Sequence, residues 1–389
     1  MMTGENIICF AKDWDDDPTS NTHVMRLLSR NNRVLWLNSI AMRAPKLTSG
    51  VDIFRIGRRL RSVFKGARQV DTNLWVLSPL VLPLPHSQIA VALNRMILRM
   101  TLWWTRRQLG MREFQLWTFL PSAIEYIGTL GESLAIYYCT DDWLHAAGYD
   151  GVKLRAMEYR LGANTDIVFA TASPLQEIFI KVNPETHLAR HGVDQAHFAK
   201  ALLPATSVAP ELEGIPLPIL GLIGFIDERV DLELIGKLAA ANRSWTVVIV
   251  GKIHVDVSEL EKYPNLKFLG RKPYDRLPEF CKGFSVGIIP FLVNEYTRHV
   301  NPIKLREYLS AGLPVVSTNL PEVSIYRGRC RVASTHDEYI ACVRAALEDN
   351  SSEAKAQRSE AMRSETWEQK VEELTTQVVR VKQSLAVRR

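Results

Sequence analysis

A chain of 389 residues is longer than one hydrophobic core usually fills, so two domains are expected. Hydrophobic residues at 47% and charged residues at 23% are the ordinary balance of a folded soluble protein. The formal charge of +6 is modest, and the five cysteines (Cys9, Cys139, Cys281, Cys330 and Cys342) are scattered without a CxxC. That pattern argues against a disulfide framework or a zinc site and suits a reducing cytoplasm. No basic start followed by an apolar run suggests a secretory signal. No stretch approaches the roughly 20 apolar residues of a spanning helix.

In chain order, Asn6–Ala11, Arg33–Leu37, Leu74–Leu77, Phe114–Thr118, Leu134–Cys139 and Asp166–Thr171 read as buried strands. Helical patterns fall between them at His23–Ser29, Ile89–Arg107 and Leu154–Gly162. The first strand runs into an acidic segment, DWDDDPTSNTH (Asp13–His23), rather than a GxGxxG, and GxxxxGK[ST] is absent. A dinucleotide oxidoreductase and a P-loop enzyme are therefore unsupported. Four prolines crowd Ala201–Pro218, which reads as an interdomain linker. Strands then resume at Ile219–Gly224, Trp245–Val250, Leu266–Leu269, Ser285–Ile289 and Val315–Ser317. Helices accompany them at Asp231–Ala241, Asp275–Lys282, Pro302–Ala311 and Asp337–Leu347, and Trp367–Leu385 forms a closing charged helix. Alternation of this kind predicts two doubly wound α/β domains over 1–205 and 206–365, with 366–389 as a terminal helix.

Asn301–Thr318, NPIKLREYLSAGLPVVST, holds the most chemistry. Asn301 suits an N-cap, Pro302 the first helical position, and Gly312 with Pro314 a stop. Lys304 and Glu307 lie three residues apart on one face. A helix N-terminus with a lysine beside it suits phosphate, and a glutamate nearly a turn later can accept bonds from two vicinal ribose hydroxyls. An ordinary surface ion pair has the same spacing.

This segment resembles the donor-binding signature of GT-B glycosyltransferases, in which a glutamate before a G-x-P-V-V strand holds the ribose. HGVD (His191–Asp194), IGFIDERVDLELI (Ile223–Ile235) and FLGRKPYDRLPEFCKGFSVGIIPF (Phe268–Phe291) follow the same order. The likeness is nearest to bacterial enzymes that build exopolysaccharides or teichuronic-type polymers. It implies two Rossmann-like domains facing a central cleft, with the last helix crossing back to the first domain. Asn301, Lys304 and Glu307 would then bind a nucleotide-diphosphate sugar. Arg229 stands nearest to the usual diphosphate clamp, whose loop here holds Phe225 and Ile226. Arg271 and Lys272 fall where the base is held, and Phe291 and Asn294 would line the sugar. His299 occupies the place of the first glutamate of the E-x7-E arrangement common in retaining relatives, which leaves the anomeric outcome open.

Glycosyl transfer needs a base for the attacking hydroxyl and a counter-charge for the leaving diphosphate. Asp141 and Asp142 emerge at the carboxyl end of Leu134–Cys139 in YYCTDDW. Adjacent residues cannot both face one way, so one of the two suits a helix cap, and the preference for Asp141 as base comes from the resemblance. The resemblance puts a base carboxylate of inverting relatives at Asp141. Asp13, Asp15 and His23 are candidates for acceptor contact. The letters DxD in that cluster are not read as a metal site, since the donor residues lie in the other domain, and neither metal nor cofactor is expected.

Two basic segments suggest an anionic membrane surface. Phe54–Arg68 places Arg58, Arg59, Arg61 and Lys65 beside an apolar stripe, and the membrane reading is preferred there. Arg95–Arg112 mixes arginines with Trp103 and Trp104, and fits a membrane helix and a core-packed helix equally. No nucleic-acid module accompanies the charge. The resulting expectation is a cytoplasmic enzyme, peripheral at the inner face of the membrane. It would move a sugar from UDP or GDP to a lipid-linked or polysaccharide acceptor. An epimerase or phosphorylase of the same fold, and an inactive nucleotide-sugar-binding protein, are the alternatives.

Overall fold

Strands of four to six buried residues need a partner on each edge and a helix on each face, and the chain meets that need twice. The computed structural model describes residues 2–40, 66–82, 84, 87–145 and 150–388. It divides into two compact units, Met1–Arg190 with Lys370–Arg389, and His191–Gln369.

The first unit contains β1 (Asn6–Phe10), β2 (Arg33–Leu37), β3 (Arg68–Asp71), β4 (Leu74–Leu77), β5 (Gln115–Thr118), β6 (Leu134–Cys139), β7 (Ile167–Ala170) and β8 (Thr186–Leu188). They form one sheet in the order β3-β4-β2-β1-β5-β6-β7-β8. All neighbours are parallel except the β3–β4 hairpin, whose turn places Asn73 at φ 56. Central β6 is buried throughout, and Trp36, Trp117, Tyr137 and Tyr138 fill the space beside the sheet. Helix Trp367–Arg388 supplies Val371, Leu374, Val378 and Val381 to this unit's interior, at spacings that put them on one face. Lys382 donates to the Glu5 carboxylate at 2.6 and 2.8 Å.

The second unit contains β9 (Ile219–Ile223), β10 (Thr246–Val250), β11 (Leu266–Phe268), β12 (Val286–Ile289), β13 (Val315–Thr318) and β14 (Arg331–Ala333). The sheet is wholly parallel in the order β11-β10-β9-β12-β13-β14. Two glycines let rings lie flat against its strands. A Cβ at Gly221 would fall 1.9 Å from Phe284 Cδ2, and one at Gly287 would fall 2.6 Å from Tyr308 Cδ2.

Three expectations need correction. The proline-rich Ala201–Pro218 is no linker, because Ala201, Ala209 and Leu212 are buried in the core of the second unit. Its Glu211 is held by Lys272 at 2.9 Å and Arg276 at 2.8 Å. The units divide at Arg190/His191 and again at Gln369/Lys370, not at 205/206 and 365/366. The basic amphipathic stretch read over Phe54–Arg68 is described only at 66–68, where Arg68 opens β3 instead of closing a helix. Arg58, Arg59, Arg61 and Lys65 lie outside the described residues.

Gly287→Ala forces a methyl against the Tyr308 ring and is expected to cost about 1–3 kcal/mol. A lowered midpoint in urea-induced unfolding, with the slope unchanged, is the measurement.

Candidate functional site

Ligands of open parallel sheets bind at carboxyl strand ends where the strand order reverses. In the second unit that point lies between β9 and β12. Helix Ile303–Ser310 sits there through Tyr308, whose buried hydroxyl accepts the Ile223 N–H at 2.7 Å at the end of β9. Tyr339 acts alike on the neighbouring strands. Its hydroxyl accepts from Ile289 N at 3.1 Å and donates to the Val316 carbonyl at 2.8 Å. Neither tyrosine stands out as a site element in the sequence, because each reads as an ordinary core aromatic.

The helix ends as expected. Gly312 takes φ +79, its N–H bonds the Leu309 carbonyl at 2.9 Å, and Leu313 N bonds the Tyr308 carbonyl at 2.9 Å. This pair of bonds satisfies the last carbonyls, and the positive φ calls for glycine. Its start differs from expectation. Asn301 does not cap; Pro302 occupies the N-cap position. Asn301 is buried, accepts from Arg306 Nη1 at 2.7 Å and donates to Glu322 Oε2 at 3.3 Å. Arg306 is fully buried, its guanidinium 5.0 Å from the Tyr326 ring centroid. Asn301 therefore anchors the segment from behind the helix.

Lys304 Nζ and Glu307 Oε2 approach to 2.6 Å, with the glutamate side chain only 5% exposed and the lysine 24% exposed. A solvated surface pair would leave both ends in water. Here the carboxylate is sequestered and held by a charge that reaches the sheet edge. The Lys304 stem crosses Gly224 after β9, where a Cβ would stand 3.8 Å from Lys304 Cε. Gly224 and Gly251 pack backbone to backbone, a Cβ at Gly251 lying 1.6 Å from the Gly224 carbonyl oxygen. Gly251 N in turn bonds the Gly270 carbonyl at 3.0 Å. Glycines thus bring the ends of β9, β10 and β11 together beneath the lysine.

Arg229 and Phe291 also meet at this edge. The Val230–Phe291 bridge joins their loops, and the guanidinium stands 5.9 Å from the Phe291 centroid. Arg229 Nε is engaged by Asp227 at 3.0 and 3.1 Å, a partner that sequence reasoning overlooks although it stands two residues away. Phe225 is 44% exposed and packs on His254 at 5.3 Å, with Lys252 5.9 Å from its ring. Lys252 and His254 are absent from the sequence-derived candidates, although their place after β10 is the signal that finds them. Arg271 is exposed after β11, whereas Lys272 is tied to Glu211. Asn294 Oδ1 accepts from Thr297 N at 3.0 Å, and His299 Nδ1 meets the Glu295 carbonyl at 2.8 Å.

In the first unit the strand order reverses between β1 and β5. Asp13 follows β1 and accepts from Ser39 N at 3.1 Å; Asp15 is exposed and pairs with Arg68 at 3.4 Å. His23 lies within helix Ser20–Ser29, half-buried. Asp141 and Asp142 follow β6 and part company. Asp142 is buried, ion-paired with Arg155, and accepts from Leu144 N at 3.0 Å. Asp141 is exposed, with the Thr140 hydroxyl 3.1 Å from its carboxylate. Of the two, Asp141 is thus the one open to solvent, and Arg155 occupies the Asp142 carboxylate. Behind it, Glu158 accepts from the Tyr137 hydroxyl at 2.7 Å, and burial pushes its carboxyl up to about 7.

A cavity of about 270 Å³ beside β7 and β8, lined by Phe169, His187, Lys370 and Leu374, contains none of the candidate residues. Trp103 and Trp104 are exposed on helix Gln88–Gln108, away from both strand-end clusters in sequence. All five cysteines are free.

Known proteins resemble this chain in sequence and in fold. Residues 228–349 match the family described as glycosyl transferases group 1. A Bacillus subtilis (strain 168) protein that bears the name teichuronic acid biosynthesis glycosyltransferase TuaH is 31% identical over 208 residues. That match takes in 49% of this chain and 51% of the relative, so the chain spans about half the length of the curated relative it matches. Sucrose-phosphate synthase from Thermosynechococcus elongatus shares the fold at TM-score 0.68 and 12% identity, over 98% of this chain and 100% of that one. Anabaena Alr3699/HepE, solved with UDP and glucose, does so at TM-score 0.58 and 12% identity, over 99% and 98%. The fold is GT-B, two parallel-sheet α/β units, as the sequence resemblance implied.

Two outcomes are expected. Tyr308→Phe leaves the buried Ile223 N–H without its partner and should cost about 1–3 kcal/mol in denaturant unfolding. His191 is buried beside Trp367, and burial, with Arg306 nearby, drives its imidazole down to about 3. The unfolded chain then binds a proton below about pH 6.5 that the folded chain refuses, so stability is present above that pH and falls as pH drops toward 3. The slope from this group is about 1.4 kcal/mol per pH unit. Unfolding free energies measured across that window should fall less steeply for His191→Leu than for the native chain.

Proposed function

We propose that the chain is a glycosyltransferase that takes a sugar from a nucleotide diphosphate, UDP or GDP, and passes it to a hydroxyl of a lipid-linked or polysaccharide acceptor. The observation that carries the reading is the sequestered Lys304–Glu307 pair over the Gly224 turn, inside the segment that matches glycosyl transferases group 1. Glu307 accepts hydrogen bonds from the ribose hydroxyls. Lys304, with Arg229 and the start of helix Ile303–Ser310, neutralises the diphosphate as it departs. Arg271 and Phe225 flank the base, and Phe291 the sugar.

During transfer the bond from the anomeric carbon to the diphosphate oxygen breaks, and a bond to the acceptor oxygen forms. The acceptor proton passes to Asp141, and the nucleoside diphosphate leaves with the electron pair. Asp13, Asp15 and His23 bind the acceptor. This scheme uses no metal and no cofactor. With retention of configuration, Asp141 instead hydrogen-bonds the sugar or acceptor. The name of the Bacillus relative supports a place in cell-surface polysaccharide synthesis, and HepE with UDP and glucose supports a UDP-sugar. The enzyme works at the inner face of the membrane, from the cytoplasm.

Titration calorimetry against UDP-, GDP- and ADP-sugars, followed by a turnover assay, tests the reading. Glu307→Ala should weaken donor binding roughly 10- to 100-fold. Asp141→Asn should lower kcat roughly 10²–10⁴-fold with donor affinity intact. Full turnover by Asp141→Asn would remove the base assignment. Absence of binding to every donor would remove the whole reading, and binding without any transfer would leave a nucleotide-sugar-binding protein.

A further inference from the structure

A helix that packs on a globular unit ordinarily hides its apolar side and shows water its polar side. Helix Gln88–Gln108 shows apolar residues on both. One side is buried through Ala90, Asn94, Leu98, Leu102 and Thr105. The other exposes Ile89 (76%), Leu93 (41%), Met96 (54%), Met100 (60%), Trp103 (48%) and Trp104 (61%). At 3.6 residues per turn these six fall within roughly 100° of arc, opposite the buried set. They form one continuous stripe along the outside of the helix. The segment before it adds exposed Leu80, Leu82 and Leu84, and Asn94 ties it to the helix by bonds to the Leu82 backbone at 2.6 and 2.9 Å.

Charge identifies what covers the stripe. No acidic residue occurs between Asp71 and Glu113, whereas Arg95, Arg99, Arg106, Arg107 and Arg112 all fall there. Arg95 and Arg106 are spent inside the protein, on the Glu125 and Arg112 carbonyls. Arg99 is exposed on the flank of the stripe, and Arg107 lies at its end with its guanidinium 4.1 Å from the Trp103 ring centroid. Trp103 and Trp104 meet edge to face at 5.4 Å, the only two of the nine tryptophans that are exposed. Apolar side chains with tryptophans at one end and arginines alone beside them match the acyl–headgroup boundary of an anionic bilayer. No helix among the described residues is long and apolar enough to cross a membrane, so this one lies along it.

We infer that helix Gln88–Gln108 is a membrane-docking element that embeds the Ile89–Trp104 stripe in an anionic lipid surface. Arg99 and Arg107 meet the headgroups. The surface includes none of the residues assigned to donor, acceptor or proton transfer, so it stands or falls apart from the catalytic reading.

The test is co-sedimentation of the full chain with vesicles of equal parts phosphatidylglycerol and phosphatidylcholine, beside vesicles of phosphatidylcholine alone. The native chain should bind the anionic vesicles, and added salt should weaken binding. A quadruple variant, Met96→Gln with Met100→Gln, Trp103→Ser and Trp104→Ser, should lose roughly tenfold or more in partition coefficient. Its thermal midpoint should match the native one, because all four side chains are already exposed. Arg99→Glu with Arg107→Glu should reduce binding to anionic vesicles and leave the weak binding to neutral ones unchanged. Undiminished sedimentation of the quadruple variant would overturn the inference and put attachment elsewhere. A concentration-dependent dimer abolished by that variant, with no vesicle binding by the native chain, would also overturn it and make the stripe a contact between copies.

Discussion

The hydrogen bond from the Ile223 amide to the Tyr308 hydroxyl links a helix to the strand end it must stand over, with water excluded from both partners. A bond in that setting has one geometry, since the alternative is an orphaned amide. The ring can reach it only because Gly287 leaves its own strand bare. Lys304 and Glu307 ride on the same helix, respectively one turn and one residue before the tyrosine. Where they point is thus decided by a core contact. Tyr339 repeats the arrangement on β12 and β13, so two of the strand ends that border the reversal point are pinned by phenols. The chemistry of the edge rests on the rigidity of the interior behind it.

Much of this architecture is legible in the sequence, because apolar runs alternating with helical patterns over a long chain permit few arrangements. The strands that escape it are β3, β8 and β14, short edge elements of three or four residues, none of them buried throughout. They carry little periodicity because one face or one edge is wet. The proline-rich segment misleads for a different reason. Prolines mark breaks in regular structure, and a broken segment can still be buried. Ala209 and Leu212 lie in the core although their neighbours form only short 3-10 turns. Composition reports on backbone regularity, and burial is a separate question.

The candidate site is legible in part. The NPIKLRE segment announces itself, and its stop at Gly312 is assigned correctly, since positive φ is a local demand that sequence reveals. Asn301 reads as a cap because Asn-Pro usually starts a helix. Its tie to Arg306 and Glu322 depends on residues that meet only in the fold, the glutamate twenty-one positions away. Arg229 can be named from its place in the loop, and its engagement by Asp227 cannot be weighed without geometry. Charges read from sequence are counted singly, whereas folded charges come in pairs.

The aspartates after β6 show what a strand end does with consecutive like residues. Asp142 turns inward and is locked by Arg155, by the Leu144 amide and by His145 at 3.1 Å, so the backbone beside it has little freedom to rotate. Asp141 is outward because its neighbour is inward, and among the described residues its carboxylate meets the adjacent Thr140 hydroxyl, which travels with it. Orientation is inherited through one peptide link. A deletion of a single residue between Cys139 and Asp142 would therefore exchange the roles of whatever side chains remained, even if both carboxylates survived. Any descendant of the chain that keeps an outward carboxylate here must keep the length of this short turn as well as its letters.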